Sequence, residues 1–187
     1  MAFTYRYQKG SALKTLYNVD FAVGLNGGYN MRDDVMLVQA LLNMCFYELE
    51  ALQPPFGQNP LEVDGWIGPA TQRHIEHFQH QVVKDGGGNV AQDGVFDPFR
   101  APGVSSSVSH TRYGLEVLNY GCSNEAQDRG LRNFVDLPHR PDMPVLLRNA
   151  LKTEKKEATR HRGVGGKVQI GPVMQEVFPG IFAPPTF

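Results

Sequence analysis

Nineteen consecutive residues, from 61 to 79, constrain the fold of this chain more than any other stretch. They read LEVDGWIGPATQRHIEHFQ and combine a tight turn with a helix start and a helix face. Asp64-Gly65 predicts a turn, because glycine accepts a positive φ and aspartate can bond its own downstream backbone. Pro69 suits the first turn of a helix, where its missing N–H costs nothing. The stretch therefore predicts a turn followed at once by a helix from Pro69 to about Val83.

A second amphipathic helix is predicted upstream of the turn, from Met31 to about Leu52. Asn30 is expected to cap this helix, and Asp33 completes an arrangement similar to a capping box. In both helices apolar residues recur three and four positions apart, which places them on one face. These faces predict that the two helices pack on each other. The residues of the packed faces are Val35, Val38, Leu42, Cys45, Leu49 and Leu52 in the upstream helix and Thr71, Ile75, Phe78 and Val82 in the downstream helix.

Three motifs in this region resemble the signature of a known family. D-G-x-[IF]-G-P-x-T-x-x-x-I-x-x-F-Q is matched by Asp64, Gly65, Ile67, Gly68, Pro69, Thr71, Ile75, Phe78 and Gln79, and D-V-x-x-[LV]-Q-x-x-L by Asp34, Val35, Val38, Gln39 and Leu42. A second D-G-x-[VF] turn is matched by residues 93–98. On these matches, residues 22–119 resemble the small helical peptidoglycan-binding domain, a cell-wall module often appended to bacterial lytic enzymes. The second turn departs from the first, because Asp97 stands where Gly68 would be expected.

The resemblance implies a mainly α fold, with a three-helix peptidoglycan-binding-like core, an N-terminal arm and a helical C-terminal extension. We accordingly divide the chain into an N-terminal arm (1–21), a peptidoglycan-binding-like domain (22–119) and a C-terminal helical extension with an apolar tail (120–187). The third core helix is expected at Thr111–Asn119, because the Ser/Pro/Gly-rich stretch FRAPGVSSSVSH reads as an inserted loop that delays it.

The two ends of the chain lie outside the resemblance or at its margin. Residues 3–7 are expected to be extended. In the extension, Ser123 or Asn124 can cap a short helix, and a longer helix is predicted from Asp142 to about Arg162. The residues after that helix combine glycine and proline with many apolar side chains. Such a tail either folds back on the domain or docks on a partner.

Composition excludes some functions and leaves others open. The net charge of −1 argues against a dedicated nucleic-acid binder. No run approaches the roughly 18 apolar residues that a membrane span needs, and no signal peptide is visible at the N-terminus. Cys45 and Cys122 are the two cysteines. Cys45 reads as a small buried hydrophobe, and a disulfide between the two remains an alternative.

The titratable residues do not form a recognisable catalytic set. His74, His77 and His80 are spaced three apart on one helix, so two neighbouring histidines could share a zinc ion. A zinc peptidase also needs a third ligand, a carboxylate base and an open site. Asp64 and Asp93 are both explained by the turns they form with glycine, so a pair of glycosidase carboxylates is disfavoured. We therefore expect no enzyme activity, no catalytic residues, no cofactor and no metal.

A binding role fits the turn better. Trp66 is the only tryptophan, and on a turn it either stacks on a sugar or partner or covers the core beside Phe78. Backbone N–H groups at the start of the downstream helix, near Gly68 and Ala70, suit a stem-peptide carboxylate. The resemblance implies a groove around this turn. The expected ligand-binding residues are Gln39, Asp64, Gly65, Trp66, Ile67, Gly68, Thr71 and Asp93, although for Gln39 a bond to a nearby loop carbonyl is favoured.

These observations predict a non-catalytic peptidoglycan-binding protein, delivered by a phage-like or secretion apparatus. Its partner would be peptidoglycan, as muropeptide, or a protein contacted through the C-terminal tail, with no nucleic acid and no membrane span. The alternative is a structural or adaptor protein of a contractile injection or secretion machine that reuses the fold for protein–protein contact. Without a signal peptide, synthesis in the cytoplasm would be followed by non-classical delivery to the periplasm or cell wall.

Overall fold

The computed structural model describes residues 1–9 and 12–156, and these form a mixed α/β fold. Strands β1 and β2 pair antiparallel, and β3 joins the other side of β1 in parallel, giving the strand order β2-β1-β3. The elements in chain order are β1 (Phe3–Lys9), β2 (Ala12–Asn18), α1 (Arg32–Asn43), a π-helical turn (Met44–Glu48), α2 (Pro69–Lys84), α3 (Gly114–Asp128), a 3-10 turn (Leu137–His139), α4 (Val145–Leu151) and β3 (Glu154–Lys156).

The prediction of a mainly α fold with an N-terminal arm is wrong, because a three-stranded sheet is part of the structure. Residues expected to form an arm make the β1–β2 hairpin instead, and β1 buries Phe3, Tyr5 and Tyr7. Aromatic side chains favour strands that pack on a hydrophobic layer, which is what β1 does. The helix predicted from Asp142 to Arg162 is also shorter than expected. Helix α4 ends at Leu151, and the polar residues after it add β3 to the sheet.

The two helices that frame the first turn lie close to their predicted positions. Helix α2 begins at Pro69 and ends at Lys84, as the turn and the apolar spacing indicated. Helix α1 begins at Arg32, but the expected Asn30 cap is wrong. Asn30 has a positive φ of 54°, and its side chain closes the preceding loop by bonding Gly24 and Gly28. At its other end α1 continues into the wider π-helical turn.

Helix α3 extends well beyond the predicted third helix. It begins at Gly114 and runs to Asp128, so Ser123 and Asn124 lie inside it and cap nothing. Its buried Asn119 bonds both backbone groups of Tyr17 in β2, with distances of 2.7 Å from the Tyr17 N–H to Oδ1 and 2.9 Å from Nδ2 to the Tyr17 carbonyl. This side chain acts as a partner for the edge of the sheet and fixes α3 against β2.

A single hydrophobic cluster of buried residues unites the described elements. Its largest buried side chains come from the hairpin, from the middle of the chain and from the segment after α3. They include Tyr17, Phe46, Phe78, Phe96 and Phe134. The Tyr17 hydroxyl also donates to the Phe134 carbonyl at 2.7 Å. The core therefore draws on residues from all three segments of the division at 21/22 and 119/120.

Two further expectations from the sequence concern the apolar C-terminal tail and membrane-spanning helices. The apolar tail falls within residues 157–187, which lie outside the described residues, so its docking stays a prediction. Across residues 1–9 and 12–156, no helix is both long enough and apolar enough to cross a membrane.

Candidate functional site: two glutamine-locked turns and their grooves

The first turn, Asp64–Ile67, is held by one buried glutamine on α1. The Gln39 Oε1 accepts the Gly65 N–H at 3.0 Å, and its Nε2 contacts the Asp64 carboxylate at 2.9 Å, the Trp66 carbonyl at 3.1 Å and the Thr71 hydroxyl at 3.3 Å. Asp64 Oδ1 also accepts the Trp66 N–H at 2.9 Å. The expected bond from Gln39 to a loop carbonyl is confirmed. The side-chain amide of Gln39 thereby provides hydrogen-bond partners for polar groups of the turn and of the first residues of α2.

The second turn repeats this arrangement with a glutamine from α2. Gln79 Oε1 accepts the Gly94 N–H at 2.8 Å, and its Nε2 donates to the Val95 carbonyl at 2.9 Å and to the Asp93 carboxylate at 3.2 Å. Asp93 Oδ1 accepts the Val95 N–H at 3.0 Å, as Asp64 does for Trp66. The sequence repeat of the two D-G turns is therefore also a repeat of geometry and hydrogen bonding.

Both turns require glycine for the same two reasons. Gly65 and Gly94 have φ values of +78° and +73°, which side chains with a Cβ rarely adopt. A Cβ on Gly65 would lie 2.6 Å from the Arg32 carbonyl oxygen, and one on Gly94 would collide with the Gln72 side chain. A side chain at either position would therefore have to strain the backbone and displace a neighbour of the turn.

Gln72 connects the second turn to the loop that precedes α1. Its Oε1 accepts the Leu25 N–H at 2.8 Å, and its Nε2 donates to the Gly94 carbonyl at 3.1 Å. Asn26 adds a bond from its side-chain amide to the Asp93 carbonyl at 3.0 Å. The second turn is therefore fixed from three directions, and its side chains project from a rigid base.

The expected binding residues divide by exposure. Gln39, Gly65 and Thr71 are buried in the first lock and present little surface. Trp66 is 70% exposed, so its indole does not cover the core. The remaining residues are partly or fully accessible, and Asp93 belongs to the second turn. They are Asp64, Ile67, Gly68 and Asp93.

Hydrogen bonding sets the charge of the first turn. Partial burial works against ionisation of Asp64, but the Trp66 N–H and the Gln39 amide outweigh it and hold the pKa of Asp64 below its ordinary value. The Asp64 carboxylate therefore remains charged and remains locked over the physiological pH range. At the start of α2, Gly68 provides no side-chain cap.

Two grooves flank the second turn, and Trp66 lines neither. The first, the α2 groove, is wide and shallow with a volume of about 400 Å³, and it is lined by Arg73, Glu76, His77, Gln79, His80 and Gln92. The second, the insertion groove, has a volume of about 170 Å³. It lies between the second turn and the inserted loop, and its polar lining includes Asp93, Asp97, Ser106, Ser109, Thr111 and Arg112.

The insertion groove contains a carboxyl group in an unusual environment. Asp97 is partly covered by the groove although its side chain reaches the surface, and this partial burial raises its pKa above the ordinary value; the neighbouring charge of Asp93 raises the pKa further. Gln79 lines both grooves, so the lock on the second turn also shapes the surface on either side of it. The concave surfaces thus lie one turn further along the chain than the recess expected beside Trp66.

The three histidines of α2 have separate partners. His74 is buried and bonds the Ala70 carbonyl and the Tyr47 hydroxyl, and burial lowers its pKa. His77 contacts the Gln53 carbonyl at 3.0 Å, and His80 contacts the Gln92 side chain at 3.0 Å. In the part of the chain that the structure describes, no three metal-ligating side chains come together.

We compared the chain with known proteins, and no family model, no curated protein and no solved structure matched it. The resemblance to the peptidoglycan-binding domain therefore stays a prediction from the motifs. Sequence reasoning did not single out Gln72, Gln79 or Asp97 as site residues. For Gln79 a signal was present, because both locking glutamines follow a buried apolar residue of a helix that precedes a D-G turn.

Proposed function

We propose that this protein binds peptidoglycan without cleaving it, along the two grooves beside the second turn. The observation that carries the proposal is the lining of these grooves. Carboxylates, guanidinium groups, imidazoles, amides and hydroxyls face open surfaces on both sides of one rigid turn. Peptidoglycan offers sugar hydroxyls, amides and stem-peptide carboxylates, so a mixed polar lining suits it better than a purely apolar or singly charged one.

The lock on the second turn supports this proposal through preorganisation. Gln79, Gln72 and Asn26 fix the backbone of residues 93–95 before any ligand arrives. A ligand that binds there would not have to order the turn, and that cost would not reduce the affinity. Arg73 in the α2 groove and Asp97 in the insertion groove are exposed, so both are accessible to a polymer chain.

Co-sedimentation with purified sacculi tests the proposal. We expect the wild-type protein to pellet with sacculi and the variants Arg73→Ala and Asp97→Ala to bind about 5–30-fold more weakly each, the loss expected for about 1–2 kcal/mol of contact energy. Arg129→Ala is the matched control, because Arg129 is an exposed arginine that lines neither groove. Wild-type protein that remains in the supernatant, or groove variants that bind as well as the control, would contradict the proposal.

A second candidate, an adaptor that holds another protein, is supported by an exposed apolar surface. Phe21, Leu25, Tyr29 and Met31 lie on the loop before α1 and are 42–77% exposed, and the Phe21 and Tyr29 rings lie 5.4 Å apart. Trp66 is carried by the first turn, whose Asp64 carbonyl accepts a bond from Arg32 at the start of α1. Exposed aromatic residues of this kind are typical of protein interfaces.

The two candidates predict different sensitivities. A partner recovered in a one-to-one complex from native lysate, lost in Tyr29→Ala and Trp66→Ala but retained in Asp97→Ala, would favour the adaptor. Sacculus binding that is lost in Asp97→Ala and retained in Tyr29→Ala would favour the wall-binding protein. Delivery by a phage-like or secretion apparatus stays a prediction under both.

A further inference from the structure

The two cysteines of the chain are buried in the core, on elements that contact each other. Cys45 belongs to the π-helical turn after α1, and Cys122 belongs to α3, with the whole of α2 between them in sequence. Both side chains are fully buried, and the π-helical turn that carries Cys45 packs against α3. Both are reduced in the structure.

The position of Cys122 shows how closely α3 approaches α1. Its Sγ lies 3.5 Å from the Leu41 carbonyl oxygen, to which the thiol donates. Leu41, near the end of α1, comes one helical turn before Cys45, so the Cys122 thiol lies beside the junction of α1 with the π-helical turn that carries Cys45. These are the only cysteines in the sequence, so no other thiol of the chain competes for either of them.

The buried environment of the two thiols slows their reaction in the folded protein. Burial raises the pKa of Cys122 well above its ordinary value, and the neighbouring Cys45 thiol adds to the shift. Thiol–disulfide exchange requires a thiolate and access to an oxidant, and the native core supplies neither. Oxidation should therefore take place while the chain folds or opens, and a bond formed then would be protected from reductants afterwards.

We propose that Cys45 and Cys122 form an intramolecular disulfide when the chain folds in the presence of a small-molecule disulfide oxidant. One cysteine thiolate attacks the oxidant, which releases one small thiol and leaves a mixed disulfide. The second cysteine thiolate then attacks the cysteine sulfur of that mixed disulfide and releases the second small thiol. Two protein S–H bonds and the S–S bond of the oxidant are broken, and one protein S–S bond and two small thiols are formed. The bond would link the π-helical turn after α1 to α3 within the core.

Refolding the full chain in two redox buffers tests the proposal. Protein unfolded in denaturant and reductant is refolded either with dithiothreitol or with oxidised and reduced glutathione, then denatured and alkylated, and free thiols are counted by mass spectrometry. We expect two alkylated cysteines after reduced refolding, none after oxidised refolding, and a linked Cys45–Cys122 peptide in the monomer. The melting temperature of the oxidised monomer should exceed that of the reduced one by about 5 °C or more, because the bond closes a long loop.

Matched variants separate this bond from unrelated oxidation. Cys45→Ala and Cys122→Ala each keep one thiol, which can stay free or form a glutathione adduct or a dimer but no intramolecular bond, and the double variant should melt at the same temperature in both buffers. If a variant does not fold, the comparison of wild-type protein in the two buffers still decides. Wild-type protein that keeps both thiols, or forms only adducts or dimers, would overturn the proposal. No sacculus is needed, so the result is independent of the proposed function.

Discussion

Gln39 and Gln79 each bond three or more groups of a turn through one primary amide. The stability of each turn therefore depends on a single side chain. The groups they satisfy include the buried N–H of Gly65 or Gly94. An unsatisfied buried N–H retains its full desolvation penalty of about 1–3 kcal/mol, which is more than a typical hydrogen bond contributes when it is formed. When the glutamine is replaced by an apolar residue, the turn carbonyl and carboxylate that accept from its amide lose this partner as well.

Replacing Gln79 with leucine should therefore destabilise the protein although the side chain keeps a similar size. We expect Gln79→Leu to lower the free energy of unfolding by about 3 kcal/mol, because the Gly94 N–H and the Val95 carbonyl lose their partner. Urea denaturation followed by circular dichroism measures this change. Gln127→Leu provides the control, since Gln127 is exposed on α3 and should change stability by no more than about 0.5 kcal/mol. Equal stabilities for the two variants would argue against the lock.

A buried carboxyl group at the start of α1 predicts a pH dependence. Burial raises the pKa of Asp34 to about 6, although the N–H groups of Phe21 and Asp20 partly oppose this shift. Because the folded pKa exceeds the unfolded one, the folded state binds this proton more tightly. The resulting stabilisation is complete below the unfolded pKa of about 4 and is lost as pH rises through about 6.

Asp34→Asn, which removes this titration, should reveal the effect. We expect the stability of the wild-type protein relative to the variant to fall by about 2 kcal/mol between pH 4 and pH 7.5. Urea titrations at a series of pH values give the difference, in which the other ionisable groups cancel. Asp128→Asn, at an exposed position, should show no such trend. A difference that is constant with pH would mean that Asp34 titrates alike in the folded and unfolded chains.

At the scale of elements, the predictable parts are those encoded by neighbouring residues. The first turn and α2 follow from Asp64-Gly65, Pro69 and the apolar spacing that comes next, and all of these lie within one short stretch. The sheet could not be predicted in the same way, because β3 pairs with β1 from the far end of the described chain. The polar sequence of β3 carries no alternation that would announce a strand.

The candidate site shows the same division between local and distant information. Gln39 and Asp64 belong to the motif, and the prediction placed both at the first turn. The insertion groove depends on how the loop around Ser106–Thr111 folds back over the second turn, with the Ser106 N–H bonded to the Thr111 carbonyl and the Arg112 N–H to the Asn89 carbonyl. No residue spacing encodes that path, so the groove became visible only in the structure.

Asn119 offers a direct test of the contact between a helix and the sheet. We expect Asn119→Leu to lower the free energy of unfolding by about 3 kcal/mol or more, because it leaves the buried N–H and carbonyl of Tyr17 without their partner. Asn124→Leu, at an exposed position of the same helix, is the matched control and should have little effect. Thermal unfolding of both variants compares them. A mild effect at Asn119 would show that the edge of β2 does not depend on this side chain.

At the scale of the whole molecule, the two ends of the described chain are tied together over one core. The Thr4 hydroxyl donates to the Leu151 carbonyl at 2.6 Å, and the Thr4 N–H donates to the Thr153 carbonyl at 2.9 Å. Helix α1 contacts α2, α3 and α4, so its apolar surface is covered from several sides. Removing either end should therefore expose the core, even though the motifs lie entirely between the two ends.

A fragment that contains only residues 22–119 tests this dependence. It keeps both turns and α2, but it loses β1, β2, α4 and the second half of α3, including the buried side chains Tyr17, Cys122 and Phe134. A shortened chain that leaves this much apolar surface of α1 uncovered has too small a core for its length. We expect it to show no cooperative thermal transition and to bind a hydrophobic dye, whereas residues 1–156, which retain every described core residue, should unfold cooperatively. Cooperative unfolding of the 22–119 fragment would instead mean that the turns and their helices form an independent domain, with the sheet as an addition to it.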